Sequence, residues 1–257
     1  MAKAIDWSPL RAFTLIELMV VIAIIGVLVG LLVVGLRHVS AFSKGASDMA
    51  KMRSAAQGFA LYSQDYREAY PLFTNIGMLT TELTGGLPAQ RVSYFDAAST
   101  WHVVMGRPYF SVPATSDAFF SSRDLANVNS QRPFRTTFLY PCAFIARPDF
   151  WRPETRVFGA SQLGVTRVGD VAFPSAKALI VRGPTLGELG PTQSEAVPVV
   201  FTDGSGRELT GMERATGYRR GCGFWWDMYG AEHPGDNPPL LHTIGGVQGR
   251  DVGTSGG

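Results

Sequence analysis

An uninterrupted apolar run, Leu18–Leu36, constrains this chain more than any other feature of its sequence. The run has about 19 residues, which as a helix at ~1.5 Å per residue is enough to cross the hydrocarbon core of a membrane. Glu17 stands directly before the run. An ionisable side chain at membrane depth costs free energy, so its presence indicates a function beyond simple anchoring.

Residues 13–17, Phe-Thr-Leu-Ile-Glu, resemble the prepilin processing motif of type IV pilins and type II secretion pseudopilins. In that motif a glycine normally precedes the phenylalanine, whereas this chain has Ala12. The resemblance implies that prepilin peptidase cleaves between Ala12 and Phe13 and methylates the new amino terminus on Phe13. Glu17 would then pair with the amine of Phe13, its own or a neighbouring subunit's, because opposite charges attract strongly at low dielectric.

Two other interpretations of the apolar run remain open. The run is an ordinary signal anchor in which Glu17 marks the membrane interface, or it is a cleaved secretory signal with its site at residues 39–41, Val-Ser-Ala. Secretory signals have apolar cores of ~7–15 residues, and this run is longer. Lys3 and Arg11 outnumber Asp6 ahead of the run, which places the leader in the cytoplasm by the positive-inside tendency.

The apolar run continues into an amphipathic segment, and together they predict one long helix. Apolar residues recur at spacings of three and four from Val39 to Tyr66, and polar residues fill the opposite face. The predicted segments are a leader (1–12), a transmembrane or filament-core helix (13–36), an amphipathic helix half (37–70) and an extracytoplasmic head (71–257).

We expect an α+β fold in which an antiparallel meander of strands packs on the amphipathic helix half, as the resemblance also implies. The Asp203-Gly204 turn after an apolar segment is a strong hairpin signal. Tyr70-Pro71 should end the long helix. Short segments with strand composition are 101–105, 136–140, 178–181 and 197–202, and a short helical turn is predicted at 121–125.

Residues 201–205, Phe-Thr-Asp-Gly-Ser, resemble the Phe-x-Asp-Gly-Ser element near the carboxyl end of many bacterial prepilin-like proteins. In that class a histidine often stands ten residues before the aspartate, and Gln193 takes that place here. We interpret the Asp-Gly pair as turn geometry rather than as a binding site.

The two cysteines, Cys142 and Cys222, predict a disulfide if the head is exported to an oxidising compartment. The bond would close a loop of about 80 residues and stabilise the head by about 4 kcal/mol in the chain-entropy model. Two buried thiols are the alternative. Zinc is not expected, because no CxxC or His-Cys cluster accompanies the pair.

Catalytic and cofactor motifs are missing from the sequence: it has no Gly-x-Ser-x-Gly elbow, no His-Glu-x-x-His and no phosphate-binding glycine loop. We therefore expect neither an enzyme nor a cofactor. Asp227, Glu232 and Asp236 are weak calcium candidates, with an exposed acidic loop as the alternative. For the aromatic stretch Phe224–Tyr229 two roles stay open: its side chains are expected to fill a core or a subunit contact, or to form a recognition surface. A net charge of +2 gives no reason to expect nucleic acid binding.

The resemblance implies a structural subunit, a pseudopilin or minor pilin, of a type II secretion or type IV pilus-like filament. It would cross the cytoplasmic (inner) membrane once, with its amino terminus in the cytoplasm and its head in the periplasm or outside. Expected partners are that membrane, prepilin peptidase, other pilin-like subunits and a secretion or pilus assembly platform. The alternative is a non-polymerising, membrane-anchored extracytoplasmic binding module.

Overall fold

The computed structural model describes residues 14–72, 80–83, 90–123, 135–157, 160–183, 196–210, 213 and 240–253. The chain forms two compact units, Met1–Ser43 and Lys44–Gly257. The domain boundaries given above, which differ from this division, remain predictions.

One helix, α1 (Leu15–Asp65), contains 51 residues. Its stretch Leu15–Val33 has 19 residues and is long and apolar enough to cross a membrane, judged by length and composition. The side chains of this stretch are all exposed in the isolated chain. The predicted long helix is therefore confirmed, and its first part offers an unpartnered apolar surface.

The chain leaves α1 through a tight turn that ends the helix before the predicted break at Tyr70-Pro71. Arg67 and Glu68 have φ angles of 53° and 64°, in the left-handed region. The Glu68 N–H donates to the carbonyl of Ser63 at 2.7 Å, a pattern typical of helix carboxyl ends. The helix thus stops by left-handed capping, and proline is not needed to break it.

Strands within the described ranges form two antiparallel sheets. β1 (Thr80–Leu83) pairs with β2 (Gln90–Ser93). The larger sheet follows chain order, as the predicted meander requires, and the fold is α+β. Its strands are β3 (Phe138–Leu139), β4 (Ala178–Arg182), β5 (Val197–Phe201) and β6 (Gly206–Leu209).

The predicted hairpin joins β5 to β6. Val197 pairs with Leu209 and Val200 with Gly206. At the turn, Gly204 has a φ of 82°, which glycine adopts without steric cost. The carboxylate of Asp203 accepts the Ser205 N–H at 2.9 Å and the Ser205 hydroxyl at 2.6 Å. The hairpin is confirmed, and Asp203 is used inside the turn.

Helix α2 (Ala97–Phe110) corrects the strand predicted at 101–105. Adjacent valines favour a strand locally, but buried Ala97, Trp101 and Met105 recur every four residues and form one helical face. This face packs into the main core of the head. Tertiary packing therefore overrides the local preference.

The strand predicted at 136–140 was too long, since β3 has two residues. The N–H groups of Thr136 and Tyr140 donate to the carbonyls of Ser99 and Ala98, each at 2.8 Å. Because these two N–H groups bond to α2, they are not available to pair with a neighbouring strand. A turn at Ser122-Arg123 stands where the short helical turn was predicted, and residues 124–125 of that segment lie outside the described ranges.

Short 3₁₀ turns connect the helices and strands. They are Tyr94–Asp96, Asp117–Phe119, Cys142–Phe144, Pro148–Trp151, Ala160–Gln162, Val168–Asp170, Pro174–Ala176 and Gly246–Gln248.

Phe59, on the second half of α1, lies at the centre of the aromatic core of the head. Its ring centroid is 5.1 Å from Trp101 in an edge-to-face pair and 4.8 Å from Tyr140. The neighbouring Gly58 permits close approach of α2, because a Cβ there would stand 2.1 Å from Cζ of Phe110. The amphipathic half of α1 is thus a structural part of the head.

A buried carboxylate, Asp48, ties α1 to the chain that follows α2. It is fully buried and accepts the Ser121 hydroxyl at 2.6 Å and the Ser122 N–H at 2.7 Å. Lys51, one turn later, donates to the carbonyl of Phe120 at 3.0 Å. Buried charged groups are tolerated when hydrogen bonds replace water, and Asp48 meets that condition.

We predict that Asp48→Ala destabilises the head by about 3 kcal/mol, because it leaves the Ser121 hydroxyl and the Ser122 N–H without their acceptor. Denaturant unfolding of the detergent-purified protein measures the change. Asp117→Ala, at an exposed carboxylate in the same region, is the control and should change stability by less than about 0.5 kcal/mol. Equal effects of the two substitutions would contradict the role assigned to Asp48.

Two buried tyrosines should respond oppositely to loss of the hydroxyl. The Tyr94 hydroxyl donates to the carbonyl of Ile145 at 2.5 Å, whereas the Tyr140 hydroxyl has no hydrogen-bond partner among the described residues. Burial raises the pKa of Tyr140 well above its ordinary value. Tyr94→Phe should lower the free energy of unfolding by about 1 kcal/mol, and Tyr140→Phe should leave it unchanged or raise it. Thermal unfolding of the two variants tests this, and a larger loss for Tyr140→Phe would contradict it.

Candidate functional site

The first turn of α1 carries a reciprocal cap between Thr14 and Glu17. The Thr14 hydroxyl accepts the Glu17 N–H at 3.2 Å. In return, Oε2 of Glu17 accepts the Thr14 N–H and the Thr14 hydroxyl, each at 2.9 Å. The Thr14 carbonyl accepts the Leu18 N–H at 3.2 Å, the first bond of the helix. This is a capping box, which satisfies backbone N–H groups that a helix start leaves unpaired.

The cap holds the Glu17 carboxylate in one orientation. Both bonds from Thr14 go to Oε2, so Oε1 is not engaged by any described residue. The side chains of residues 14–33 are exposed, and none of the basic side chains described pairs with Glu17. The helix start therefore presents an oriented carboxylate oxygen at the edge of an apolar surface.

The head contains a second Thr-x-x-Glu pair with the same two bonds to the glutamate carboxylate, and here a cation is in place. Glu213 Oε2 accepts the Thr210 N–H at 2.9 Å and the Thr210 hydroxyl at 3.0 Å. Its other oxygen, Oε1, accepts from Nη1 of Arg207 at 2.9 Å. The bonds from the Thr210 backbone and hydroxyl, together with Arg207, hold the pKa of Glu213 below its ordinary value. A capped Thr-x-x-Glu pair in this chain can therefore receive a cation on Oε1.

Thr14 is a site residue that our sequence analysis missed. The resemblance of residues 13–17 predicts a processing signal but not a helix cap. The signal was present, because Ser or Thr three residues before Glu or Gln, ahead of an apolar run, is typical of a helix start.

Most other predicted site residues lie outside the described ranges, and their roles remain predictions. They are Ala12 and Phe13 of the cleavage site, Cys222 of the disulfide, the calcium candidates Asp227, Glu232 and Asp236, and the aromatic stretch Phe224–Tyr229.

Cys142 lies in a short 3₁₀ turn and is fully buried in the head core. Its pairing with Cys222 is untested. Within the described ranges, the acidic, histidine and cysteine side chains form no group of three that is placed to hold a metal ion.

We predict that Thr14→Ala loosens the first turn of α1, because the Glu17 N–H loses its acceptor and the carboxylate loses one donor. Hydrogen–deuterium exchange of the protein in detergent should show several-fold faster exchange at the Glu17 amide. Thr14→Ser keeps the hydroxyl and should exchange like the parent. Unchanged exchange in Thr14→Ala would contradict the cap.

Residues 10–33 match the family model described as the prokaryotic N-terminal methylation motif. No curated protein and no solved structure matches the chain. The motif implies processing by prepilin peptidase, and with the apolar helix it indicates anchoring in the inner membrane. Proteins with this motif are typically structural. The amino-terminal segment thus carries the prokaryotic N-terminal methylation motif, and this motif supports a type IV pilin-like protein.

Proposed function

We propose that this chain is a structural subunit, a pseudopilin or minor pilin, of a type II secretion or type IV pilus-like filament. Prepilin peptidase cleaves it between Ala12 and Phe13 and methylates the amine of Phe13. The chain then assembles through the first part of α1. The capped Glu17 carboxylate, whose Oε1 is not engaged by any described residue, is the observation that carries the proposal.

Cleavage before Phe13 leaves the cap intact. The Thr14 N–H belongs to the peptide bond with Phe13, so it survives cleavage and still donates to Glu17. The new charged amine then lies one residue ahead of the cap. The same event that creates the cation therefore preserves the oriented carboxylate that would receive it.

We infer that Oε1 of Glu17 receives the Phe13 amine of a neighbouring subunit. The Arg207–Glu213–Thr210 arrangement shows that a carboxylate capped in this way can accept a cation on its second oxygen. In a membrane or filament core, each charge offsets the desolvation of the other. A misplaced subunit would leave both charges unpaired, so the pair selects the axial register between helices.

The exposed apolar surface of α1 supports the same conclusion. Large apolar side chains of Leu15–Val33 are between 43% and 75% exposed in the isolated chain. Soluble proteins rarely expose such a continuous surface, and lipid covers it before assembly. Neighbouring apolar helices would replace the lipid in a filament.

We place the head on the extracytoplasmic side of the membrane. Lys3 and Arg11 precede the span, and basic residues concentrate on the cytoplasmic side. Type II secretion is our first choice of machinery and a type IV pilus the second. Both use the same assembly chemistry, so the amino-terminal site does not distinguish them.

We predict that Glu17→Gln abolishes assembly while leaving the membrane level of the protein unchanged. Glutamine keeps an oxygen that can accept from Thr14, so the cap persists, but the charge that attracts the amine is lost. Cross-linked multimers and sheared filaments from the native host measure assembly, and membrane fractionation measures export.

The matched control is Glu213→Gln, which makes the same chemical change in the second Thr-x-x-Glu pair. Assembly should be normal in this variant. Normal assembly in Glu17→Gln would contradict the charge-pairing role. If the parent protein itself never forms multimers, the alternative of a non-polymerising, membrane-anchored binding module would replace our proposal.

A further inference from the structure

A second polar cluster lies inside the head, where Lys177, Thr243 and Asp251 meet. Lys177 is 0% exposed and Asp251 is 1% exposed. Their Nζ and Oδ2 atoms are 3.0 Å apart. Lysine and aspartate are rarely buried so completely, because removing both charges from water costs more than a simple contact returns.

Thr243 links the two charged groups through its hydroxyl. Nζ of Lys177 donates to the Thr243 hydroxyl, which in turn donates to Oδ1 of Asp251. The other carboxylate oxygen, Oδ2, accepts the backbone N–H of Ala178 at 2.8 Å. Each carboxylate oxygen therefore has its own donor, and a proton path runs from the amine to Oδ1.

The surroundings lower the pKa of the Lys177 amine. Burial lowers the pKa of Lys177, while the attraction of Asp251 opposes that shift. The ring of Phe144 lies 5.7 Å from Nζ, in a core of apolar and aromatic side chains. Desolvated lysines are effective nucleophiles because the uncharged amine carries a free electron pair.

We propose that Lys177 and Asp251 condense to form an intramolecular amide bond that joins strand β4 to the carboxyl-terminal segment 240–253. A proton first passes from the Lys177 ammonium group through the Thr243 hydroxyl to Oδ1. The freed electron pair of Nζ then forms a bond to Cγ of Asp251, and the bond from Cγ to Oδ1 breaks. Oδ1 leaves as water with two protons of the lysine ammonium group, and the third proton stays on the amide nitrogen. The ion pair supplies every atom, so no co-reactant is needed.

Each neighbour of the pair has a role in this step. The fixed contact between Nζ and the carboxylate replaces a bimolecular encounter with an intramolecular one. The Thr243 hydroxyl passes a proton to Oδ1, the oxygen that must leave. The Ala178 N–H stabilises negative charge on Oδ2 as the tetrahedral intermediate forms. The product is neutral, so the core loses two buried charges.

The bond would lock a segment that is already held by backbone contacts. The Asp251 N–H donates to the carbonyl of Ala176 at 2.8 Å, and the Ala172 N–H donates to the carbonyl of Val247 at 3.4 Å. A covalent link at Lys177 would prevent the carboxyl-terminal segment from detaching while the rest of the head stays folded. This property suits a subunit exposed outside the cytoplasm, and it does not depend on filament assembly.

The test is the mass of the full-length chain, purified in detergent, reduced and denatured. The expected mass is one water molecule lower than the mass calculated from the sequence, counted from the amino-terminal residue that is found in the same sample. A tryptic digest should contain one branched peptide, in which 168–182 is joined at Lys177 to the peptide that starts at Asp251. Trypsin should not cut after the modified Lys177.

Lys177→Arg is the key control, because arginine keeps the buried cation and cannot condense. This variant and Asp251→Ala should show the full mass. Thr243→Val should form the bond about a hundredfold more slowly after synthesis, as followed by pulse-chase labelling and mass measurement, since a positioned proton donor or acceptor contributes about that factor, and Thr243→Ser should restore the rate. Lys44→Arg, at an exposed lysine, should still lose one water molecule.

A full mass for the parent chain, with no branched peptide, would overturn the proposal and leave an ordinary ion pair. A water loss that persists in Lys177→Arg would also overturn it, because the loss would then arise elsewhere. An unchanged rate in Thr243→Val would remove Thr243 from the mechanism.

Discussion

A carboxylate fixed at the start of an apolar helix is the constraint on which this molecule depends. Glu17 is costly in a membrane, and the chain keeps it in one place by the reciprocal bonds with Thr14. The cap serves the helix by satisfying N–H groups at its start, and it leaves Oε1 without a contact to the described residues, as the assembly that we propose requires. One short motif thus combines a processing signal with a helix start, and in our proposal it also receives a cation.

The head depends on the same helix in another way. The second half of α1 contributes Phe59 to the aromatic core and Asp48 to a buried hydrogen-bond site. These residues make the helix part of the head, so the head cannot lose α1 without losing its core. The carboxyl-terminal segment 240–253 packs into the same unit, where Asp251 meets Lys177. The core of the head therefore depends on contacts between segments that lie far apart in the sequence.

Local signals predicted the elements whose identity depends on nearby residues. The period of α1, the apolar run of β4 and the Asp-Gly turn between β5 and β6 are all encoded within a few residues, and the structure confirms them. The segment 101–105 failed because a short apolar run with two valines fits a strand or a helix equally well. Packing of Trp101 against Phe59 selects the helix, and that contact spans about 40 residues of chain.

The polar residues that carry the two proposals were also only partly predictable, because some depend on local sequence and others on long-range packing. Glu17 is conspicuous because a charge interrupts an apolar pattern, and the three-residue spacing from Thr14 to Glu17 encodes the cap locally. Lys177 and Asp251 lie far apart in sequence without any periodic pattern, and only the fold brings them together. Residues whose role depends on long-range packing carry no local signature.

The most direct test of the central claim is the amino-terminal peptide of the protein purified from its native membranes, identified by mass spectrometry. Our account predicts a mature chain that begins with N-methylated Phe13, despite Ala12 before the cleavage site. A chain that still begins at Met1 would contradict processing by prepilin peptidase. A chain that begins at Phe42 would show ordinary signal cleavage, with the apolar part of α1 removed and no filament core left to assemble.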